Sequence, residues 1–295
     1  MDIKTYLRTG KEAVDSFFQA YFGEQKRPAV LQEAMLYSLF AGGKRIRPVL
    51  AMASYEACGG ASAEIVPYAA TLELIHTYSL IHDDLPAMDD DDLRRGKPTN
   101  HKVYGEAVAI LAGDALLTEA FCILSDPSFC PSVGGDALMR ASREIALASG
   151  REGMVGGQVQ DILSEDADPD GETLQFIHRH KTAALIRASI RVGCILAAAG
   201  EEKIDALTRY GENIGHAFQI IDDILDVVGE TQELGKTVGS DEKINKMTYP
   251  RLYGLERSRE IAGRLVDEAL SSLGTFPAAA DPLREIARYL LSRRS

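Results

Sequence analysis

One stretch of the chain, residues 63–84, is apolar on nearly every side when it is drawn as a helix. Other elements must cover such a helix all round, so we expect it at the centre of the fold. Apolar residues recur at helical spacing through most of the remaining sequence. No segment alternates with a period of two for long enough to predict a strand. The pattern therefore predicts an all-α fold with ten or more helices, which we interpret as a single domain spanning residues 1–295.

The overall composition excludes some functions. The net charge of −12 argues against nucleic acid as a partner, because phosphate backbones require a basic protein face. The four cysteines show no Cys-x-x-Cys spacing, which predicts reduced, buried thiols and a cytoplasmic protein. No segment approaches about 18 uncharged apolar residues, so we expect no transmembrane span. The charged N-terminal segment does not have the pattern of a signal peptide.

The central helix leads into the most acidic segment of the chain, residues 81–96. Six aspartates lie there within ten positions, namely Asp83, Asp84, Asp89, Asp90, Asp91 and Asp92. Clustered carboxylates repel one another unless cations compensate them, and Mg²⁺ binds such oxygens while sharing its coordination sphere with substrate phosphate. Arg94 and Arg95 follow directly, and guanidinium groups suit a diphosphate. Taken alone, the segment could also be a solvated acidic loop.

The position of Pro86 affects how these aspartates are arranged. Proline disfavours helical geometry at the preceding residue, Leu85, so the chain should leave the helix there. That exit would allow Asp83 and Asp89 to face one shared site.

A second acidic cluster lies near the end of another apolar helix. It comprises Asp222, Asp223 and Asp226, and the first and last of these share a helical face because they are four positions apart. Three aspartates in an apolar helix are costly unless metal or cations compensate them. The two clusters can face each other across one cavity, with metal ions and diphosphate between them.

These motifs, in this order, resemble the isoprenyl diphosphate synthase family over nearly the whole chain. The resemblance is carried by residues 43–48 (Gly-Lys-Arg-Ile-Arg-Pro), residues 83–89 with the two arginines behind them, Lys181-Thr182, and residues 222–226. Four residues separate Asp84 from Asp89, and Tyr78 lies five positions before Asp83; both features resemble bacterial-type farnesyl diphosphate synthases.

The resemblance implies a helical bundle around a central apolar cavity. It also implies the reaction that this family catalyses. Isopentenyl diphosphate would condense head-to-tail with dimethylallyl and then geranyl diphosphate, giving (2E,6E)-farnesyl diphosphate by ionisation, condensation and elimination. No dedicated protein base is evident, and the resemblance implies that the released diphosphate takes the proton. The family also suggests a homodimer.

The resemblance implies roles for individual residues as well. Asp83, Asp89 and Asp222 would hold about three Mg²⁺ ions per active site, which stabilise the departing diphosphate. Whether Asp84, Asp223 and Asp226 bind metal directly stays open. The expected catalytic residues are Lys181, Thr182, Gln219 and Lys236. The expected substrate-binding residues are Lys44, Arg47, His76, Arg94, Arg95, Lys181, Thr182, Gln219, Lys236 and Lys246.

Further residues of the chain carry lesser expectations. His76, taken alone, is more often a hydrogen-bonded core histidine, but its place two turns before Asp83 favours the functional interpretation. Three other histidines, His82, His178 and His180, are interpreted as structural. The polar segment with Lys236, Asp241 and Lys246 is a plausible lid.

Tyr78 and Ser79 are the residues expected to determine product length. Five residues of helix rise about 7.5 Å, so Tyr78 would lie below the metal site, at the floor of an apolar tunnel. A bulky ring there, with the small Ser79 beside it, predicts a C15 product.

Several alternatives stay open. The main one is a geranyl or geranylgeranyl diphosphate synthase, which uses the same chemistry with another stopping point. A class I terpene cyclase would not need Lys44, Arg47 and His76 for a second diphosphate. A non-catalytic acidic metal-binding subunit of a prenyltransferase is a different class of function. A Ca²⁺-binding version of this subunit would be expected to use a twelve-residue loop, and the sequence lacks such a loop.

Overall fold

The computed structural model describes residues 1–164, 170–228 and 248–292, and it confirms the all-α architecture. The helices in these ranges are α1 (Ile3–Tyr21), α2 (Ala29–Leu39), α3 (Ile46–Ala57), α4 (Val66–Asp83), α5 (Asn100–Tyr104), α6 (Glu106–Leu124), α7 (Gly135–Ser149), α8 (Met154–Leu163), α9 (Gly171–Ile177), α10 (Ala184–Leu196), α11 (Glu201–Val228), α12 (Tyr249–Tyr253), α13 (Leu255–Ser272) and α14 (Asp281–Leu291). Short 3₁₀ turns precede α4, α7 and α14, and a two-residue antiparallel pair, β1 (Leu93–Arg94) and β2 (Lys97–Pro98), follows the acidic segment.

Three helices that the sequence predicts as continuous are interrupted. Gly105 and Gly254 have positive φ angles of 82° and 80°, so the chain turns between α5 and α6 and again between α12 and α13. The helix predicted over residues 173–199 contains a π-helical segment, His178–Ala183, between α9 and α10. Such a segment is commonly found at functional sites.

The helix α4 is the centre of the fold, as predicted. Its side chains at Leu72, Leu74 and Ile75 are fully buried, because α1, α2, α3 and α6 pack around it. A second apolar cluster lies where α3, α10, α11, α13 and α14 meet. Each fully buried leucine or isoleucine of these clusters contributes about 1.5–3 kcal/mol to the free energy of folding. The two clusters therefore hold the ends of α4 and α11 in place.

Two expectations from composition can be compared with the structure. Among the described residues, α6 is long and apolar enough, by length and composition, to cross a membrane, so the expectation of no transmembrane span stays a prediction. Length and composition alone do not distinguish a spanning helix from a core helix, and α6 packs along α4. All four cysteines are free, but only Cys130 and Cys194 are buried; Cys58 is half-buried and Cys122 is exposed.

Candidate active site

The first acidic segment folds back on the end of α4. The helix ends at Asp83, and the backbone N–H of Asp89 donates to the carbonyl oxygen of Asp83 at 2.9 Å. The N–H groups of Met88 and Asp90 both donate to the carbonyl of Leu85, which closes the turn. The exit from the helix therefore lies where Pro86 predicts it, and it brings Asp83 and Asp89 next to each other.

The carboxylates of this segment have different surroundings. Burial raises the pKa of Asp83 to about 6, Lys181 opposes this rise, and the charges of Asp89 and Asp84 add to it. Asp84 is buried and accepts a hydrogen bond from Arg94 Nε at 2.6 Å; burial still raises its pKa. Because Arg94 also pairs with Asp91, its guanidinium group bridges two carboxylates of the motif.

Lys181 belongs to the π-helical segment and pairs with a carboxylate of α8. Its Nζ lies 2.5 Å from Asp161 Oδ2, on α8. The close approach depends on Gly157, one helical turn before Asp161: a Cβ atom there would lie 2.7 Å from Lys181 Cα. The sequence predicts a helix with a close backbone approach in this glycine-rich stretch, and the structure confirms it. The sequence pattern does not identify Asp161 as the partner of Lys181.

Thr182 and Gln219 contact each other, as expected of two residues at one site. The Thr182 hydroxyl donates to Gln219 Oε1 at 2.6 Å, and Gln219 Nε2 donates to Asp223 Oδ1 at 2.9 Å. Here again a glycine precedes the polar residue by one turn. A Cβ at Gly215 would lie 2.7 Å from the Cβ of Ala183, so only glycine allows α11 to lie this close.

A cavity of about 520 Å³ brings four of the predicted substrate-binding residues together. Lys44, Arg47, His76 and Arg95 line it, with apolar walls from α10, α11 and α14. Burial lowers the pKa of Arg47, whereas the charges of Glu73 and Asp222 raise it. Its Nε is buried and has no hydrogen-bond partner within the described ranges.

The imidazole of His76 shares this cationic environment. Its pKa is well below the usual value, first because the ring is buried and then because Arg47 and Arg95 lie nearby. His76 is therefore neutral at pH 7 and can donate an N–H to an anion without adding charge. Arg95 donates to the carbonyl oxygen of Gly42 at the rim. A cavity with arginines, a lysine and a neutral imidazole suits a diphosphate.

Arg45, between Lys44 and Arg47, faces the protein interior. Its guanidinium group is only 2% exposed and pairs with Asp15 and Glu73, each at 2.9 Å. A third donor reaches the Leu39 carbonyl at 2.6 Å. Arg45 has a positive φ of 53° and forms the N-cap of α3, which begins at Ile46 instead of at Pro48 as the sequence suggested. No pattern in the sequence predicts the two acidic partners.

Tyr78 is buried one and a half turns before Asp83. Burial and the charge of Asp83 raise the pKa of the phenol to about 12, and the ring lies edge-on to His82, 5.7 Å away. His82 Nε2 lies 3.0 Å from the carbonyl of Ile110 on α6, consistent with its structural interpretation. The Ser79 hydroxyl donates to the carbonyl of His76. Lys236, Asp241 and Lys246 lie outside the described residues.

The acidic residues fit Mg²⁺ of the kind that shares its sphere with a substrate. Burial raises the pKa of Asp83 and the charges of Asp89 and Asp84 add to the rise, so a cation bound here would stabilise the ionised carboxylates. Within the described part of the chain, no three His, Cys, Asp or Glu side chains form a complete metal site. Mg²⁺ takes one or two carboxylates and fills its other positions with water and phosphate.

Comparisons with known proteins agree with this arrangement. The family model for polyprenyl synthetases matches residues 28–280. The chain is 48% identical over 301 residues to geranylgeranyl pyrophosphate synthase 11, chloroplastic, from Arabidopsis thaliana, an alignment that covers 100% of this chain and 83% of the relative. It is similar to the structure of an FPP/GFPP synthase from Zymomonas mobilis, with a TM-score of 0.86, 37% identity, and coverage of 98% of this chain and 99% of the other. For geranylgeranyl pyrophosphate synthetase from Pyrococcus horikoshii the TM-score is 0.88 at 31% identity, with 99% and 98% covered.

Proposed function

Because this chain belongs to the polyprenyl synthetase family and is a trans-prenyltransferase, we propose that it condenses isopentenyl diphosphate head-to-tail with allylic diphosphates in a Mg²⁺-dependent reaction. The observation that carries this proposal is the cavity itself. Lys44, Arg47, His76 and Arg95 line a site for one diphosphate, separate from the aspartates that would serve another. A terpene cyclase has no use for the additional cationic site.

The residues of the two sites have different tasks. Asp83, Asp89 and Asp222 would hold Mg²⁺, which when bound supplies Lewis-acid stabilisation of the departing diphosphate. The Lys181 ammonium group, which pairs with Asp161, lowers the pKa of Asp83 and so adds positive charge near it. The oxygen atoms of Thr182 and Gln219 present partial negative charge to the allylic cation. The reaction requires that water be kept from the cation, because water would trap it as an alcohol.

Two candidates remain for the length of the product. Geranylgeranyl diphosphate, with 20 carbons, is supported by the names of relatives that are 47–49% identical over nearly the whole chain. Those names favour it over the farnesyl diphosphate predicted from the sequence. Farnesyl diphosphate, with 15 carbons, is the second candidate, and the buried Tyr78 ring below the metal site supports it.

The test uses the purified protein, Mg²⁺ and labelled isopentenyl diphosphate with dimethylallyl or geranyl diphosphate as primer. Products are separated by chain length, for the unaltered protein and for Tyr78→Ala and Tyr78→Phe. A C15 end point that lengthens in Tyr78→Ala but not in Tyr78→Phe would assign the ring as the stop. A C20 end point that is the same in all three would assign the first candidate. No product from any primer would refute the proposed condensation and favour the non-catalytic alternative.

We also propose that the chain is a single domain, assembles as a homodimer and is cytoplasmic. The Arabidopsis relative is named as chloroplastic, so location does not follow from family membership. Light scattering coupled to size-exclusion chromatography tests the oligomeric state, and a mass near 32.1 kDa would refute the dimer.

A further inference from the structure

Asp223 is buried among three protein partners. Gln219 Nε2 donates to its Oδ1 at 2.9 Å, and the backbone N–H of Tyr249 donates to its Oδ2 at 2.9 Å. His178 Nε2 lies 3.3 Å from the same Oδ2. Asp223 and His178 are each 3% exposed. Both carboxylate oxygens therefore have partners from α11, from the π-helical segment and from the start of α12.

The contact with Asp223 fixes which way the Gln219 amide faces. A carboxylate only accepts hydrogen bonds, so it holds the NH₂ group of Gln219 and turns the carbonyl oxygen Oε1 toward Thr182. The Thr182 hydroxyl in turn donates its proton to that oxygen. The proton of Thr182 is thus directed at Gln219, and the lone pairs of both residues are available to a positive charge beside them.

The neighbouring Asp222 has a different environment. Successive helical residues point about 100° apart, so the two side chains cannot serve the same site equally. The charge of Asp222 raises the pKa of Arg47, which lines the cavity. Asp223 instead contacts His178, whose ring is stacked 5.0 Å from that of Tyr249. Tyr249 is held further by its hydroxyl contact with His216 Nε2 at 2.7 Å.

We propose that Asp223 is a positioning residue and not a Mg²⁺ ligand: with His178 and Tyr249 it orients Gln219, and through it Thr182, toward the allylic cation. This inference rests on the proposed function. It assigns a role to His178, which the sequence left as structural. It also gives two aspartates of the second acidic motif different roles. Asp222 acts on the charges that line the cavity, whereas Asp223 holds Gln219 and, through it, Thr182 in position.

The substitution that tests this inference is Asp223→Asn. An amide accepts on one atom only, so it cannot satisfy donors on both sides, and the Gln219 amide has to turn over to regain its hydrogen bond. The turn presents NH₂ in place of oxygen to Thr182 and the cation. We expect kcat to fall at least tenfold. The concentration of Mg²⁺ that gives half-maximal rate and the KM for isopentenyl diphosphate should each stay within about twofold.

A second variant and a matched control separate this effect from unfolding. His178→Gln retains an N–H donor and should keep most of the rate, whereas His178→Phe should lower kcat as Asp223→Asn does. His180→Gln changes a histidine of the same π-helical segment, whose Nδ1 lies 2.7 Å from the Phe176 carbonyl oxygen and whose ring stacks on that of Phe176, and it should leave kcat unchanged. Thermal unfolding of each variant identifies any that has lost its fold. The His178 pair carries the test if Asp223→Asn does not fold.

A binding measurement gives a result that is independent of turnover. Calorimetry of a non-ionisable thio analogue of geranyl diphosphate, at several Mg²⁺ concentrations, should give the same affinity for Asp223→Asn as for the unaltered protein, and weaker affinity for Asp222→Asn. Weakening by Asp223→Asn that more Mg²⁺ relieves would overturn the inference and make Asp223 a ligand. An unchanged kcat would overturn it as well. Failure of the proposed function would differ from both outcomes, because the unaltered protein itself would form no product.

Discussion

Replacing Gly215 by alanine should disturb the site in a way that can be estimated from the structure. The new Cβ would lie 2.7 Å from Ala183 Cβ, and ordinary van der Waals contact begins at 3.4 Å, so a shift of 0.7 Å is needed. If α11 moves by that amount, the 2.6 Å hydrogen bond between Thr182 and Gln219 lengthens to about 3.3 Å and loses most of its strength. Since a misplacement of about 1 Å can reduce rates by about 10²-fold, we expect kcat to fall by roughly tenfold.

The stability effect of Gly215→Ala has two opposing parts. Overpacking costs about 1–3 kcal/mol, and the better helix propensity of alanine returns about 0.5–1 kcal/mol. We therefore expect a net loss of about 1 kcal/mol in the free energy of unfolding, measured by urea denaturation.

Gly263→Ala is the matched control for this prediction. Gly263 lies within α13, and a Cβ there meets nothing within 4 Å, so the substitution should stabilise the protein slightly and leave kcat unchanged. A Gly215→Ala protein with wild-type kcat would refute the reasoning, because it would show that the close approach of α11 does not set the catalytic geometry. Equal losses in both variants would point to a general effect of the substitution.

Three further predictions concern charge. Glu73→Gln leaves the buried Arg45 with one anionic partner, so the free energy of unfolding measured by urea denaturation should fall by about 2 kcal/mol, and the KM for isopentenyl diphosphate should rise. Burial lowers the pKa of His216 from 6.5 to about 4, so between these pH values the unfolded chain binds more protons than the folded one. The free energy of unfolding should therefore decrease as the pH falls from 6.5 toward 4, by at most about 3 kcal/mol. The plot of Tm against pH should be flatter for His216→Gln. Chelation with EDTA should abolish product formation with every primer and added Mg²⁺ should restore it, whereas in Asp83→Asn the half-maximal Mg²⁺ concentration should rise at least about tenfold.

The helical fold could be predicted from the sequence because it depends on local patterns. The all-round apolar character of α4 required a central position, and burial of Leu72 and Ile75 follows from it. The predicted helices were wrong where a single backbone angle ends a helix. At Gly105 and Gly254 the apolar spacing of the sequence continues, but the positive φ angle of the glycine breaks the helix. The π-helical segment at His178–Ala183 could not be predicted, because its residues fit a regular α-helix equally well.

The candidate site could be predicted only in part, since its composition is encoded locally and its contacts are not. The aspartates and arginines of the motifs can be recognised from residue type and spacing alone. The partner of Lys181, Asp161, lies 20 positions away along the chain, and the partner of Thr182, Gln219, lies 37 positions away. Both partners are on other helices, whose packing no periodicity reveals. One local signal was nevertheless present. Gly157 and Gly215 each stand four positions before a polar residue, Asp161 and Gln219, that contacts the π-helical segment.

These two glycines have a common physical consequence. A helix that packs without a Cβ at the crossing point comes closer to its neighbour, and the residue one turn later on the same face then reaches the neighbour with a short side chain. Here α8 and α11 both approach the segment His178–Ala183 in this way, and they contact consecutive residues, Lys181 and Thr182, through Asp161 and Gln219. The widened helical turn is thus held by two side-chain hydrogen bonds. The ammonium group of Lys181 and the hydroxyl group of Thr182 therefore have fixed positions before any substrate binds, and this preorganisation is what an ionisation step requires.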